Sequence, residues 1–168
     1  MFADLVAQYR KTLTNLDAIL SKAEEYAATK NFPVENFMSA RLAPDMLPFW
    51  RQVTIACDVA KSAAAAFTDS AAPRFEDNET NFAQLHDRIS RTIAFLDTLP
   101  ASAYTASESS VVKVPFPPGK ALKAPEYALC RSLPNFFFHV SMAYALLRAG
   151  GVPVGKGDFL GQLNLFDA

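Results

Sequence analysis

The spacing of apolar residues constrains the fold of this chain most, because three stretches repeat them at gaps of three and four and a fourth helix is expected near the C-terminus. Such gaps place apolar side chains on one face of a helix. The first stretch runs from Phe2 to Ala23, and the breaker signal at residues 31–33 predicts that its helix ends near Lys30. The pattern therefore predicts an all-α fold of four long helices.

Prolines and capping residues set the expected limits of the next two helices. Pro44 suits the first turn of a second helix, where its missing N–H costs nothing, and residues 70–73 end that helix. Asn78 or Thr80 suits the N-cap of a third helix, which Pro100 closes. The apolar stripes of these helices are Met46, Phe49, Val53, Ala56, Cys57, Ala60, Ala64 and Phe67, and then Phe82, Leu85, Ile89, Ile93, Leu96 and Leu99.

The stretch from 104 to 124 has a different composition. Three valines at 111, 112 and 114 precede turn-forming residues at 115–119, a pattern that predicts a short β-hairpin or an extended crossover. A fourth helix follows over 125–148, with a kink or break expected at Pro134. This long connection between the third and fourth helices favours a bundle with crossovers over a simple up-down array.

The C-terminal segment, 152–168, is rich in glycine and is predicted to be an ordered loop rather than a helix. Lys156 or Asp158 would attach it to the helices. Arg148 lies at the end of the fourth helix, where it complements the helix dipole or pairs with Asp158.

Composition and charge exclude several classes of protein. A net charge of -1 and the lack of a basic run argue against nucleic-acid binding. No N-terminal signal pattern or bilayer-length apolar run is present, so we expect no membrane partner and a cytoplasmic location. Cys57 and Cys130 lack metal-type spacing and are expected to be reduced thiols. The length predicts a single domain spanning 1–168.

Three segments in the C-terminal third carry a family resemblance: LPNFFFH at 133–139, AYALLR at 143–148 and GVPVGKGDFLG at 151–161. The segment RLAPDM at 41–46 extends it, together with Gln52 and residues 56–58. The chain resembles the DinB/YfiT-like superfamily, in a branch catalogued only as domains of unknown function.

This resemblance implies a DinB-like four-helix bundle that is often a homodimer. Many metal-binding members hold a divalent ion with three histidines, one on the second helix and two on the fourth. Activities in the wider superfamily include thiol-dependent transferases and isomerases, and some members are DNA-damage-inducible proteins. The resemblance assigns no activity to this branch.

The three-histidine site is degenerate in this sequence. His139 matches the first histidine of the fourth-helix pair, but Ala143 stands four residues later, where the second would share its face. The other histidine, His86, falls on the third helix. We therefore expect no resident metal or other cofactor. The alternative is a mixed oxygen and nitrogen site for a divalent metal, formed by His139 with Asp45 and Gln52 on the second helix.

His139 allows two interpretations. It is either a buried structural histidine, bonded to Tyr144, Asp45 or a backbone carbonyl, or a general base working with Asp45. The aromatic run 136–138 favours core packing over a cofactor site, and at least one ring must face a dimer partner or the C-terminal segment. The residues expected to line a small-molecule pocket are Phe49, Gln52, Phe137, His139 and Tyr144.

Three functions remain open at this point. The first is a non-catalytic, dimeric bundle that binds a small apolar ligand. The second is a small-molecule enzyme, of transferase, isomerase or hydrolase type, that uses His139 with Asp45 and with or without a metal. The third is a stress-related interaction protein.

Overall fold

The computed structural model describes residues 1–115 and 117–166, and most of them are helical. The four long helices are α1 (Phe2–Lys30), α2 (Phe49–Thr68), α3 (Phe82–Asp97) and α5 (Leu133–Ala149). Helices α1 and α2 each pack against the other three. Their apolar faces enclose one hydrophobic core, which also includes buried valines of the hairpin region and the C-terminal segment. The predicted helical class is confirmed.

The shorter elements lie in the connections between the long helices. A 3₁₀ turn, Val34–Phe37, follows α1, and a second one, Ala101–Ala103, follows α3. Strands β1 (Val111–Lys113) and β2 (Ala121–Lys123) pair antiparallel, with Val112 opposite Leu122. The predicted hairpin is thus confirmed, although Phe116 of its expected turn lies outside the described residues. A single turn, α4 (Ala124–Glu126), then leads towards α5.

The predicted start of α2 at Pro44 is wrong, because the helix begins at Phe49 with Pro48 as its N-cap. Leu47 precedes a proline, and that position disfavours the helical backbone conformation. Asp45 therefore lies outside α2 on an exposed turn, not on a face that it shares with Gln52. The N-cap of α3 was also misplaced. Asn81, rather than Asn78 or Thr80, accepts a hydrogen bond from the backbone N–H of Gln84.

The expected break at Pro134 takes the form of a π-helical segment, Tyr127–Ser132, directly before α5. Proline cannot donate a hydrogen bond, and its ring collides with the carbonyl four residues earlier in a regular helix. The wider π turn accommodates Pro134, which lies in the first turn of α5. Helical backbone therefore runs from Ala124 to Ala149 with a local change of pitch.

The C-terminal segment contains a helix that the sequence did not predict, α6 (Lys156–Leu160). Asn15 of α1 donates to the carbonyl of Phe159, and Lys22 pairs with Asp158 at 2.6 Å. Asp158 therefore attaches this segment to α1, in agreement with one of the two predicted possibilities. Arg148 does not pair with Asp158 but donates to the Val152 carbonyl. Asp167 and Ala168, the last residues of the predicted loop, lie outside the described residues.

Candidate functional site

The facing sides of α2 and α5, together with the π-helical segment, form a seam in which the polar candidates gather. The two helices run antiparallel. Gln52 in the first turn of α2 meets His139 of α5, while Ala66 near the end of α2 shares a cavity wall with Tyr127. We call this region the α2–α5 seam. It has a hydrogen-bonded end at His139 and an open end beside the hairpin.

His139 is 8% exposed and bonds to Gln52, not to Tyr144 or Asp45. Its Nδ1 lies 2.8 Å from Gln52 Oε1, and the Gln52 amide nitrogen donates to the Leu47 carbonyl at 2.9 Å. Because an amide oxygen only accepts, Nδ1 carries the proton and Nε2 carries the lone pair. His139 is thus buried, as in the first interpretation, but its hydrogen-bond partner is Gln52, which the sequence analysis did not name for that role.

Burial, followed by the nearby positive charge of Arg51, lowers the pKa of His139 below its usual range. Both causes disfavour the charged imidazolium. The ring is therefore neutral at pH 7, with its tautomer fixed by Gln52. A neutral imidazole in this arrangement accepts a proton only at Nε2.

The seam cavity, of about 530 Å³, occupies the open end of the seam. Its walls come from α2, from β1 with the two residues after it, and from the π-helical segment with the start of α5. Both apolar and polar side chains line it. They are Asp58, Val59, Ser62 and Ala66 from α2, Val112, Lys113, Val114 and Pro115 from the hairpin region, and Tyr127, Arg131, Ser132 and Asn135.

The π-helical segment supplies the polar wall of this cavity. Its extra width directs Tyr127, Arg131 and Ser132 to one side, and Asn135 follows one turn later. Ser132 is buried and shares a 2.9 Å hydrogen bond with the hydroxyl of Tyr9. Burial raises the pKa of Tyr9 to about 12, so both hydroxyl groups stay protonated at neutral pH. π-helical turns are frequent at functional sites.

The other side of α2 faces a cluster of charged residues. Arg88 of α3 is 2% exposed and donates to Asp58 at 2.9 Å, to Asp77 at 3.1 Å and to Glu79 at 2.8 Å. Lys61 also donates to Asp58, at 2.9 Å. This charge cluster fastens the α2–α3 connection to both helices. Asp58 belongs both to the cluster and to the wall of the seam cavity.

The five residues predicted to line one pocket do not lie together. Phe49 is fully buried and stacks on Phe82 between α2 and α3. Phe137 and Tyr144 both pack against Phe159 of α6, beneath the C-terminal segment. Gln52 and His139 are hydrogen-bonded to each other, and none of the five lines the seam cavity.

The side chains near His139 do not fit the three-histidine metal site of the superfamily. Ala143 is buried at the position of the second fourth-helix ligand and has no donor atom. His86 lies on α3, and both of its ring nitrogens face carboxylates of α1. Its Nδ1 lies 2.6 Å from Asp17 Oδ1, and its Nε2 lies 3.2 Å from Glu24 Oε2. Across residues 1–115 and 117–166, no group of three His, Cys, Asp or Glu side chains has the geometry to hold a metal ion. In the same residues, no helix is both long and apolar enough to span a membrane.

The fold is that of a DinB-like protein. A crystal structure of a DinB family member protein from Shewanella denitrificans has 37% sequence identity to the chain and a TM-score of 0.94. That alignment covers 100% of this chain and 96% of the other. The family model for DUF1993, a domain of unknown function, matches residues 1–160, and the chain therefore belongs to the DUF1993 family. No curated protein matches it.

Proposed function

We propose that this protein binds a small molecule in the seam cavity and needs no metal to do so. The observation that carries the proposal is the cavity itself, because its volume of about 530 Å³ lies within the usual range for small-molecule sites. Valines 59, 112 and 114 with Ala66 supply apolar surface, and a few polar groups on the π-helical segment would orient the ligand. Residues 1–168 would act as one domain, a four-helix bundle around a shared core.

Ligand binding is tested by NMR titration of the labelled protein with 1-octanol, a neutral probe with an apolar chain. The proposal expects the largest amide shifts at residues 58–66, 112–115 and 127–135. Ala66→Leu fills part of the cavity and should weaken binding at least tenfold, whereas the same change at the exposed Ala28 of α1 should not. Equal binding by both variants, or shifts confined to other regions, would remove the cavity as the site.

Independence from metal rests on the poor donor set around His139. Elemental analysis of protein purified without chelator or immobilised nickel is the direct measurement, paired with the His139→Ala variant. We expect no stoichiometric transition metal in either sample. A near-stoichiometric ion that disappears in the variant would reverse this part of the proposal and would favour the mixed site with Gln52.

An enzyme that uses His139 as a general base is the second candidate, and one observation favours it. The Gln52 hydrogen bond leaves the lone pair of a neutral imidazole on Nε2, which is the form a base requires. Asp45 gains no support as its partner, since it lies on an exposed turn outside α2. Covalent trapping by an imidazole-directed reagent distinguishes the two candidates. Rapid modification of His139 in the folded protein would favour the enzyme, and protection would favour a structural histidine.

We further propose that two copies of the chain associate through a face that includes Phe138. Phe138 is 50% exposed, and Leu47, whose carbonyl accepts from Gln52, is also exposed. Exposed apolar patches are typical of interaction surfaces, and the hydrogen bonds of Gln52 link the chain segments that carry these two side chains. Size-exclusion chromatography with light scattering tests the association. A dimer that becomes monomeric in Phe138→Ser would support it, and a strict monomer at micromolar concentration would refute it.

A further inference from the structure

We propose that the ligand of the seam cavity is a small organic anion whose carboxylate or phosphate group is bound by Arg131. This inference rests on the proposed function, since it specifies the chemistry of the molecule that occupies the same cavity. Three observations support it: the balance of charge in the cavity wall, the position of Arg131 and the apolar character of the remaining wall.

The charge balance of the cavity favours an anion. Asp58 is the carboxylate of the wall, and its Oδ1 accepts from both Arg88 and Lys61 at 2.9 Å. These two cations and Arg51, which pairs with Asp77, balance the three carboxylates of the charge cluster, so the cluster that includes Asp58 is neutral as a whole. Lys113 and Arg131 also line the cavity, and neither makes an ion pair with any described residue. The wall therefore presents two uncompensated positive charges.

Arg131 is placed to receive an anionic group at a defined position. It is half-buried on the π-helical segment, and its positive charge acts on the hydroxyl of Tyr127, which lines the same cavity. A guanidinium group offers a planar fork of donors that matches the two oxygens of a carboxylate or phosphate. Asn135, one turn later, adds an amide that also lines the cavity. Lys113 is more exposed and would contribute charge rather than geometry.

The rest of the wall accommodates an apolar body rather than a bare inorganic ion. Val59 and Ala66 of α2 line the cavity together with two buried valines of the hairpin region, Val112 and Val114. Burial of hydrocarbon against such a wall is favourable, because it removes apolar surface from water. A ligand with both parts would use the whole cavity, with its anionic group at Arg131 and its hydrocarbon against the valines.

The test compares octanoate, octyl phosphate and the neutral 1-octanol by NMR titration of the full chain at pH 7.5. We expect octanoate or octyl phosphate to bind at least tenfold more tightly than 1-octanol, because hydrogen bonds between a guanidinium group and an ionised acceptor are about twice as strong as those between neutral groups. Arg131→Gln should remove this preference by weakening the binding of the two anionic probes far more than that of 1-octanol. Arg91→Gln, on the exposed surface of α3, is the matched control and should preserve it.

The outcomes separate this inference from the proposed function. Equal binding of all three probes in the cavity, unchanged by Arg131→Gln, would overturn the anion preference and leave small-molecule binding intact. Absence of binding by every probe would count against both. Arg131→Lys keeps the charge and loses the fork, so a partial loss in that variant supports bidentate recognition. The stronger of the two anionic probes then identifies a carboxylate or a phosphate as the preferred group.

Discussion

The two sides of α2 differ in whether their charged groups have ion-pair partners within the chain. On the side that faces α3, the guanidinium group of Arg88 meets three carboxylates and a backbone carbonyl, and Asp58 accepts from two cations. On the side that faces α5, Arg131 has no ion pair among the described residues and His139 stays neutral with its Nε2 lone pair available. The charged groups on the first side are ion-paired within the chain, although Arg88 Nε and Glu79 Oε2 lack a hydrogen bond, whereas Arg131 on the second side has no ion pair among the described residues.

This difference separates structural polar groups from groups available to a ligand. A buried charge is retained only when partners compensate for its lost hydration, and the charge cluster provides such compensation within the chain. Positive groups that line a cavity without an internal partner are available to an external one. Asp58 connects the two sides, because it anchors Arg88 and also forms part of the cavity wall. The predictions below test whether this division holds.

The largest effect is expected from Arg88→Ala. The substitution would leave the buried Glu79 carboxylate without its cation and would detach the α2–α3 connection from α3. Removing one partner from a buried ion pair costs roughly 3–5 kcal/mol. Urea denaturation measures the free energy of unfolding. Arg91→Ala, which removes an exposed pair with Asp87, is the control and should cost less than about 1 kcal/mol. A loss below that value for Arg88→Ala would show that the cluster is not structural.

A smaller loss of stability is expected from His139→Ala. The change leaves Gln52 Oε1 without its donor in a buried site, which costs roughly 1–3 kcal/mol. Tyr144→Phe is the control, because the tyrosine hydroxyl makes only a 3.4 Å bond to the Val154 carbonyl at the edge of the C-terminal segment. Its cost should stay below about 1 kcal/mol. Equal costs in the two variants would argue against a structural role for the Gln52 contact.

The sequence predicted the helices and the hairpin better than it predicted their ends. Apolar periodicity located the first three long helices, since burial of one face determines helix formation more strongly than local preference does, and the fourth was located by its end signals. The start of α2 was misplaced by five residues, from Pro44 to Phe49. Either Pro44 or Pro48 can mark the start of a helix, and in the structure the helix follows Pro48. The five-residue helix α6 was missed because two glycines flank it and a third lies within it, and its apolar contacts come from other helices.

The candidate site was predictable only in part. Gln52 and His139 were both named as pocket residues, although their direct bond was not foreseen. Arg131 and Asn135 were missed, because their orientation depends on the π-helical segment, and hydrophobic periodicity does not reveal a change of pitch. Pro134 was the available signal. Arg131 lies three residues before this proline and Asn135 directly follows it. Polar residues so close to a proline inside a helix indicate a local irregularity of the kind that is frequent at functional sites.

The pH dependence of the free energy of unfolding tests whether His139, on the side of α2 that faces α5, is neutral in the folded protein. Its pKa in the folded protein is lowered, so the unfolded chain binds more protons between that value and the ordinary value of about 6.5. Stability should therefore fall as the pH drops through about 6.5 and level off below the folded pKa. Denaturation of the wild type and His139→Gln at pH 7.5, 6.5 and 5.5 isolates this contribution. The variant should lose less stability over that interval, and parallel curves would contradict a lowered pKa.

The smallest effect on stability is expected from chemical labelling of the two cysteines. Cys57 reports on the side of α2 that faces the charge cluster, and Cys130 reports on the side that faces the π-helical segment. Cys57 is fully buried on α2, and burial raises the pKa of its thiol to about 12. Cys130 is exposed on the π-helical segment, next to Arg131. Iodoacetamide should therefore modify one thiol per folded chain, lost in Cys130→Ser, and both thiols in urea. Modification should change the free energy of unfolding by no more than about 0.5 kcal/mol, as is usual for surface changes. Rapid labelling of Cys57 would mean that the side of α2 facing the charge cluster opens easily, and the contrast between the two sides would then fail.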